Sequence, residues 1–399
     1  GFVAGPDIDS FKIQWHSGPL LHPAFGLKMT GRHRLTLLQH NHSLYHWHAC
    51  HELSTAETKL LEMFSRLLFI ASLVFGLMAG FIVPSFAADH AVILMYHRFG
   101  EDQYPSTNVR LEQFEEHLEV LAKAEYNVLP LDDIVAHLQS GERLPDRSVA
   151  ITIDDAYLSV YEQAFPRLQR YGFTATIFVA TQPVDRGLRG YMSWEQLREL
   201  QAAGFGIGSQ TRSHPHMHRL ADAKNRNELM VSNDRFLTEL GMRPNLFAYP
   251  YGEYSIDVIN EVKRAGFIAA FGQHSGIAHG YDGFFELPRF AMNEQYSSRD
   301  RLELAINGLP LKVNQIVPED VVLVENPPSY GFTLSSDMDQ ERQLRCFTSR
   351  YGKLKVAILG RRAEIRMPGP LMGQRAKVNC TMPGPEGRWR WFGRQFLPE

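Results

Sequence analysis

The sequence predicts an α/β fold, with parallel strands joined by crossover helices, followed by a small all-β region. Three observations predict it. Short apolar runs alternate with longer amphipathic segments between about Ala91 and Phe271, as a strand-helix repeat requires. After about Pro310 helical spacing becomes scarce, and strand-like runs broken by Pro-Gly pairs take over. Carboxylates and imidazoles also gather just past the apolar runs, and in parallel α/β folds ligand sites collect at the carboxyl ends of strands.

The elements follow in order. Residues 92–95 form an apolar strand-like run, and 111–124 a helix with apolar Phe114, Leu118 and Leu121. Residues 149–153 are the second clear strand, 164–171 lie in a helix, and 175–180 make a further strand. A helix over 194–203 ends at Gly204, and 206–209 is again strand-like. The long helix 225–240 precedes a strand at 246–249, and a helix over 256–265, capped by Gly266, precedes a strand at 267–271. This alternation suits either a barrel or an open sheet. In the tail, 353–359, 363–367 and 376–380 read as strands, with turns at Pro368-Gly369 and Pro383-Gly384. The last run, 388–392, alternates arginines with Trp389 and Trp391 on opposite faces. The tryptophans suit packing in a small core or docking onto the main body better than a sugar-stacking platform.

The length of 399 residues exceeds one average domain, and the formal charge of −3 gives no reason to expect nucleic acid. Met63 and Arg66 open a short basic start, 67–83 is apolar, and Pro84 to Ala88 supply small residues. That is the grammar of a secretory signal peptide cleaved near Ala87 or Ala88. About 17 apolar residues also reach the lower limit of a membrane anchor, which is the competing expectation. Residues 1–62 begin with Gly1, carry nearly half of the histidines and lack hydrophobic periodicity. They are expected to be upstream sequence or a disordered extension. Cys346 and Cys380 both fall in the tail, and in an exported module they are expected to form a disulfide. The expected organisation is 1–62 extension, 63–88 signal peptide or anchor, 89–312 main domain and 320–399 β-rich domain.

Three segments carry chemistry. Thr152-Ile153-Asp154-Asp155-Ala156-Tyr157 closes an apolar run on adjacent carboxylates, whose side chains leave a strand on opposite faces. One can then hold a metal while the other moves a proton; alone, the pair is more often a solvated turn. Downstream, Ser209-Gln210-Thr211-Arg212-Ser213-His214-Pro215-His216-Met217-His218 follows another strand-like run. Imidazole is the commonest neutral metal ligand, and one or two with a carboxylate suit a divalent catalytic metal. The third segment is Phe247-Ala248-Tyr249-Pro250-Tyr251-Gly252-Glu253. Its proline and glycine shape an irregular turn that leaves backbone N–H groups facing a site.

Together these segments resemble the polysaccharide deacetylases of the NodB-homology type, carbohydrate esterase family 4. The resemblance spans roughly Ala91 to Tyr296. Residues 152–156 match the TFDDG block, 209–215 the histidine block H-S/T-x-x-H-P, and 248–252 the R-x-P-Y-G block. The Tyr96-His97 start and the form of the third block look most like the branch that deacetylates poly-N-acetylglucosamine. The resemblance implies a distorted (β/α) barrel and a metal-dependent hydrolase acting on N-acetylated polysaccharide or oligosaccharide at the cell envelope.

By the same resemblance, Asp155, His214 and Gln210 occupy the positions of the ligands to a divalent metal, zinc above all. Asp154 takes the place of the general base, and the Tyr251 N–H that of an oxyanion donor. His274 is expected as the acid, because the family's late Leu-x-His acid has no clear match here. Arg289 is expected to organise carboxylates, with His97, Pro250 and His218 in supporting places. Two departures stand out: Gln210 replaces the first histidine of its block, and Ala248 replaces the arginine that orients the base. An amide oxygen is a weaker ligand than imidazole; His216, His218 or water are the alternatives for the third position. A non-catalytic glycan-binding relative is the second expectation. A glycoside hydrolase using Asp154, and a barrel serving as scaffold for the tail, are more distant ones.

Overall fold

Parallel strands do run in chain order through this protein, seen here in a computed structural model. The structure describes Met63, Ser65 and residues 87–398, apart from 281, 282, 337, 339 and 374. The signal-peptide or anchor segment 67–83 and the extension 1–62 therefore lie outside the described residues. Every element below belongs to one unit, Val83–Glu399. Among the described residues no helix is long and apolar enough to cross a membrane.

Strands β1 (His90–Tyr96), β2 (Ser148–Asp154), β3 (Thr176–Val179), β4 (Gly206–Ser209), β5 (Leu246–Ala248) and β6 (Ala269–Phe271) lie side by side, each parallel to the next. β1 and β2 are buried along their whole length. This explains their unbroken apolar runs, since a sheet covered on both faces has no polar side to alternate with. The helices α1 (Leu111–Leu121), α2 (Leu131–Ser140), α3 (Trp194–Ala202), α4 (Asp222–Leu240), α5 (Ile256–Arg264) and α6 (Arg299–Ile306) fall between or after these strands. The expected helix 164–171 begins instead with a π-helical turn, Val160–Ala164. The expected strand 267–271 pairs only from Ala269, because Phe267 first buries its ring against Phe247, 5.1 Å away.

The choice between barrel and open sheet is decided after β6. β7 (Ala278–His279) runs antiparallel to β1. Leu287 then bridges Phe271 in parallel, and its carbonyl accepts from the Gly272 N–H at 2.9 Å. Two residues later β8 (Phe290–Ala291) pairs in parallel with β1, Phe290 opposite Leu94. Segment 287–291 thus touches both free edges and curls the sheet into a distorted (β/α) barrel.

The tail builds two further sheets. One runs β9 (Leu309–Pro310), then β17, β16, β12 and β13; the other runs β10 (Val313–Val317), β11 (Tyr330–Leu334), β15, β14. Here β12 is Arg345–Thr348, β13 Gly352–Lys353, β14 Lys355–Leu359, β15 Arg362–Arg366, β16 Ala376–Pro383 and β17 Trp389–Phe396. The expected single strand 353–359 is split at Leu354, whose N–H donates to the Cys346 carbonyl at 2.8 Å, so the chain passes from one sheet to the other. Tyr330, Phe332, Leu344 and Phe396 fill the core between them, and buried Cys346 and Cys380 face each other across β12 and β16, joined through their sulfurs. Trp391 docks edge-on against Phe290 of the barrel, 5.3 Å between ring centres, while Trp389 stays largely exposed.

Gly208 shows how tightly the barrel interior is filled. A methyl group at this position would meet the ring of buried Phe178 at 2.3 Å and the Leu246 carbonyl at 3.3 Å. Gly208→Ala is therefore expected to cost about 1–3 kcal/mol, read as a lower urea midpoint with an unchanged slope.

Candidate active site

The three chemical segments meet because each leaves the carboxyl end of a strand of the same parallel barrel sheet: Asp154-Asp155 from β2, the histidine turn from β4, the Tyr251 turn from β5. Their backbones share an unusual property. Nine described residues other than glycine have positive φ, and five of them are Asp155, Ala156, Thr211, His214 and Tyr251. Left-handed backbone disfavours ordinary side chains and persists only where the surroundings impose it. Here the restraints are visible. The Asp155 N–H is held by the Phe178 carbonyl at 2.9 Å, and the Met192 N–H by the Ala156 carbonyl at 2.9 Å. Buried Glu228 of α4 accepts from the Ser213 N–H at 2.7 Å and the Ser213 hydroxyl at 2.9 Å, while Ser232 donates to the Thr211 carbonyl at 3.1 Å.

Asp154 points into the barrel and is fully buried. Arg289, also fully buried, grips it with two parallel bonds, Nη1 to Oδ1 at 2.7 Å and Nη2 to Oδ2 at 2.9 Å. The same guanidinium donates to Thr152 Oγ1 at 3.2 Å and, through Nε, to the Gly272 carbonyl at 3.0 Å. The arginine absent at position 248 is thus replaced from the barrel-closing segment. Asp155 leaves on the opposite side, towards a pocket of about 500 Å³ lined by His97, His214, Tyr251, Gln273, Tyr157 and Tyr191 among others.

Asp155 Oδ1 and His214 Nε2 are 3.4 Å apart, both partly exposed to this pocket. Two ligands each about 2.1 Å from a tetrahedral zinc would also be roughly 3.4 Å apart. Gln210 is fully buried, with neither amide atom hydrogen-bonded. Among the described residues no group of three or more His, Cys, Asp or Glu side chains is arranged to hold a metal ion. The Asp155–His214 spacing therefore fits two ligands of one divalent metal, while Gln210 does not line their pocket. His216 and His218, the alternatives for the third position, both turn one ring nitrogen to Glu253. Their Nδ1 atoms lie 2.5 and 3.4 Å from Glu253 Oε2. Burial alone would raise the Glu253 carboxyl, but the bonds from His218 and His216 outweigh it and hold it below its ordinary value.

Tyr251 sits with φ 60° and ψ 7° in a short turn that begins at Pro250, which is buried. The turn's own bonds are Gly252 N–H to the Tyr249 carbonyl at 2.8 Å and Glu253 N–H to the Pro250 carbonyl at 3.1 Å; neither uses the Tyr251 N–H. Its ring stacks on His216 at 4.2 Å and meets His214 edge-on at 4.5 Å.

His274 corrects the sequence expectation. It lies in a separate small cavity with Tyr254, Glu286 and Arg394, is buried, and does not border the pocket of Asp155. Burial, with help from the Arg394 and Lys377 charges, lowers its pKa to about 3, so at neutral pH it is uncharged and not the imidazolium a general acid needs. His97, besides His214, does line the pocket, with Nε2 3.8 Å from Asp154 Oδ2. Tyr157 and Tyr191, 4.9 Å apart, form an aromatic wall not anticipated from sequence. Their flanking of the Asp-Asp and Ser-Trp segments was the available signal.

Two outcomes are expected. Arg289→Met leaves the Asp154 charge buried without a partner and should cost about 3–5 kcal/mol, measured by chemical denaturation. His274 takes up a proton below about pH 6.5 when unfolded but only near pH 3 when folded, so its contribution to stability is present above pH 6.5 and lost as pH falls towards 3. His274→Asn should flatten the fall in urea midpoint between pH 7 and pH 4.5; an unaltered pH slope would contradict this.

Residues 141–270 match the family model for polysaccharide deacetylase. YxkH of Bacillus subtilis, provisionally named a polysaccharide deacetylase, is 27% identical over 197 residues, 49% of this chain and 69% of its own. The poly-beta-1,6-N-acetyl-D-glucosamine N-deacetylase of Staphylococcus aureus is 26% identical over 203 residues, 47% of this chain and 68% of its own. In fold, the Streptococcus pyogenes deacetylase PplD, solved with acetate, superposes with a TM-score of 0.51 at 23% identity, covering 54% of this chain and 98% of that one. With the strand-end motifs assembled on a distorted barrel, these matches identify a polysaccharide deacetylase domain within the chain.

Proposed function

We propose that this enzyme removes N-acetyl groups from N-acetylhexosamine polymers at the cell envelope, with poly-N-acetylglucosamine as the substrate class. One observation carries the reading: Asp155, His214 and the Tyr251 turn converge on a single pocket, with Asp154 held directly behind them. The name of the Staphylococcus aureus relative supports the choice of polymer.

Asp155 and His214 would hold a divalent metal, zinc first, with Gln210 or water at the third position; when bound, such an ion polarises the acetamide carbonyl and acidifies a water. Asp154 acts as the base that takes the water's proton. Arg289 fixes its plane, and each carboxylate oxygen keeps a second lone pair for the transfer. The Tyr251 N–H donates to the oxygen that becomes negative in the tetrahedral state. His97 returns a proton to the departing amine. Tyr157 and Tyr191 wall the pocket where a sugar ring can stack.

The remaining organisation belongs to the same proposal. Segment 63–88 serves export or anchoring, 89–312 is the deacetylase domain and 320–399 an accessory β domain. The Cys346–Cys380 pair is oxidised outside the cytoplasm. A second reading, glycan binding without turnover, is favoured only by Gln210, since an amide holds metal less well than imidazole.

Acetate release from N-acetylglucosamine oligomers, measured beside metal content, tests both readings. Asp154→Asn and His97→Asn should each lower kcat by at least about 100-fold, and Gln210→His should bind zinc more tightly. No acetate with any divalent metal would favour binding alone, and full activity in Asp154→Asn would remove the assigned base.

A further inference from the structure

The Tyr251 turn is held from outside the barrel. Arg375, just before β16 of the C-terminal sheet, donates from Nη1 to the Tyr251 carbonyl at 3.2 Å. Its guanidinium carbon lies 5.6 Å from the centre of the Tyr251 ring, and its Nε 3.7 Å from the buried Glu253 carboxylate. From β17, Gln395 Nε2 donates to the Gly252 carbonyl at 3.0 Å and, at 3.5 Å, to the Tyr251 carbonyl as well. Lys377 of β16 donates to the Gln273 carbonyl at 2.6 Å. The Gln273 loop presses on the same turn: a methyl group at Gly252, where φ is +68°, would meet Gln273 N at 2.6 Å. Three side chains of one distant sheet therefore grip the two loops that form this side of the pocket.

Docking alone would account for Lys377 and Gln395, which are buried or nearly so. Arg375 differs: it remains substantially exposed, lines the pocket, and bonds to the one non-glycine residue of the turn in left-handed backbone. Tyrosine prefers negative φ by roughly 1–2 kcal/mol. With only the longer 3.5 Å bond from Gln395 left at its carbonyl, Tyr251 can relax by rotating both its peptide planes, which turns its N–H away from the pocket.

We propose that Arg375 is a positioning residue of the active site, holding the Tyr251 carbonyl so that the Tyr251 N–H stays directed at the reacting oxygen. The inference rests on the oxyanion role assigned to Tyr251 above. It gives the C-terminal sheet a part in the hydrolysis itself, since the pocket is incomplete without it.

The test compares the full chain with Arg375→Ala and Arg375→Lys, using kcat and KM for acetate release from N-acetylglucosamine oligomers, the thermal midpoint, and amide hydrogen exchange of residues 249–253. In Arg375→Ala, kcat should fall about tenfold with KM within about twofold, the midpoint within a few degrees, and exchange at 249–253 faster. Arg375→Lys should recover part of kcat, because an ammonium can still donate to the carbonyl. An unchanged kcat, a loss confined to KM, or no recovery by lysine would overturn the proposal while leaving the deacetylase reading intact. If the wild type released no acetate, that reading would fall; the exchange measurement would still decide whether Arg375 holds the turn, and unchanged exchange would overturn the inference by itself.

Discussion

The bidentate pair between Asp154 and Arg289 is the constraint around which the barrel is organised. Both groups are fully buried, and a charge removed from water is tolerated only with a well-formed partner. Arg289 meets that need from the segment that joins β6 to β1, so the bond that compensates the carboxylate also closes the sheet. Its other donors go to Thr152 of β2 and the Gly272 carbonyl after β6, and the Thr152 hydroxyl in turn donates to the Leu94 carbonyl of β1 at 2.8 Å. One guanidinium thereby sets the spacing of three strands, and the proposed base inherits its orientation from the architecture.

Around that rigid centre the strand ends are strained. Asp155, Ala156, Thr211, His214 and Tyr251 all hold positive φ, at a cost of order 1–3 kcal/mol each. The strain is offset by a second layer of ordinary interactions: Glu228 and Ser232 of α4, the Phe178 carbonyl, and the donors of the C-terminal sheet. Relaxed backbone at these positions would aim the carboxylate, imidazole and N–H elsewhere. The rigidity of α4 and of β16 is thus part of the chemistry, although neither element reacts.

Much of this was legible in the sequence, for reasons that differ by element. β1 and β2 stand out because burial on both faces demands continuous apolar runs. The Asp, His and Tyr turns stand out because local order of residue types carries their chemistry. Arg289 was expected to organise carboxylates, but the strand role of segment 287–291 left no such trace: it contains Pro288, pairs only briefly on each side, and has no periodicity to detect. Arg375 was invisible for a different reason, being 124 positions from the carbonyl it binds. His274 and His97 each follow a predicted strand, and only their burial separates them: one is enclosed and held neutral, the other opens onto the pocket.

The closure by Arg289 also bears on how the chain is made. Asp154 and Arg289 are 135 positions apart, so their contact is among the long-range ones that form slowly and late. A nascent chain that has reached residue 270 already carries Asp154, Asp155, His214 and Tyr251, yet lacks the cation that makes burying Asp154 tolerable. Such an intermediate has every recognisable motif of the enzyme and an open sheet with unpaired edges, the kind of species that aggregates or is held by chaperones. The stretch that names the family is therefore shorter than the stretch that can fold, and maturation waits on the last stave of the barrel.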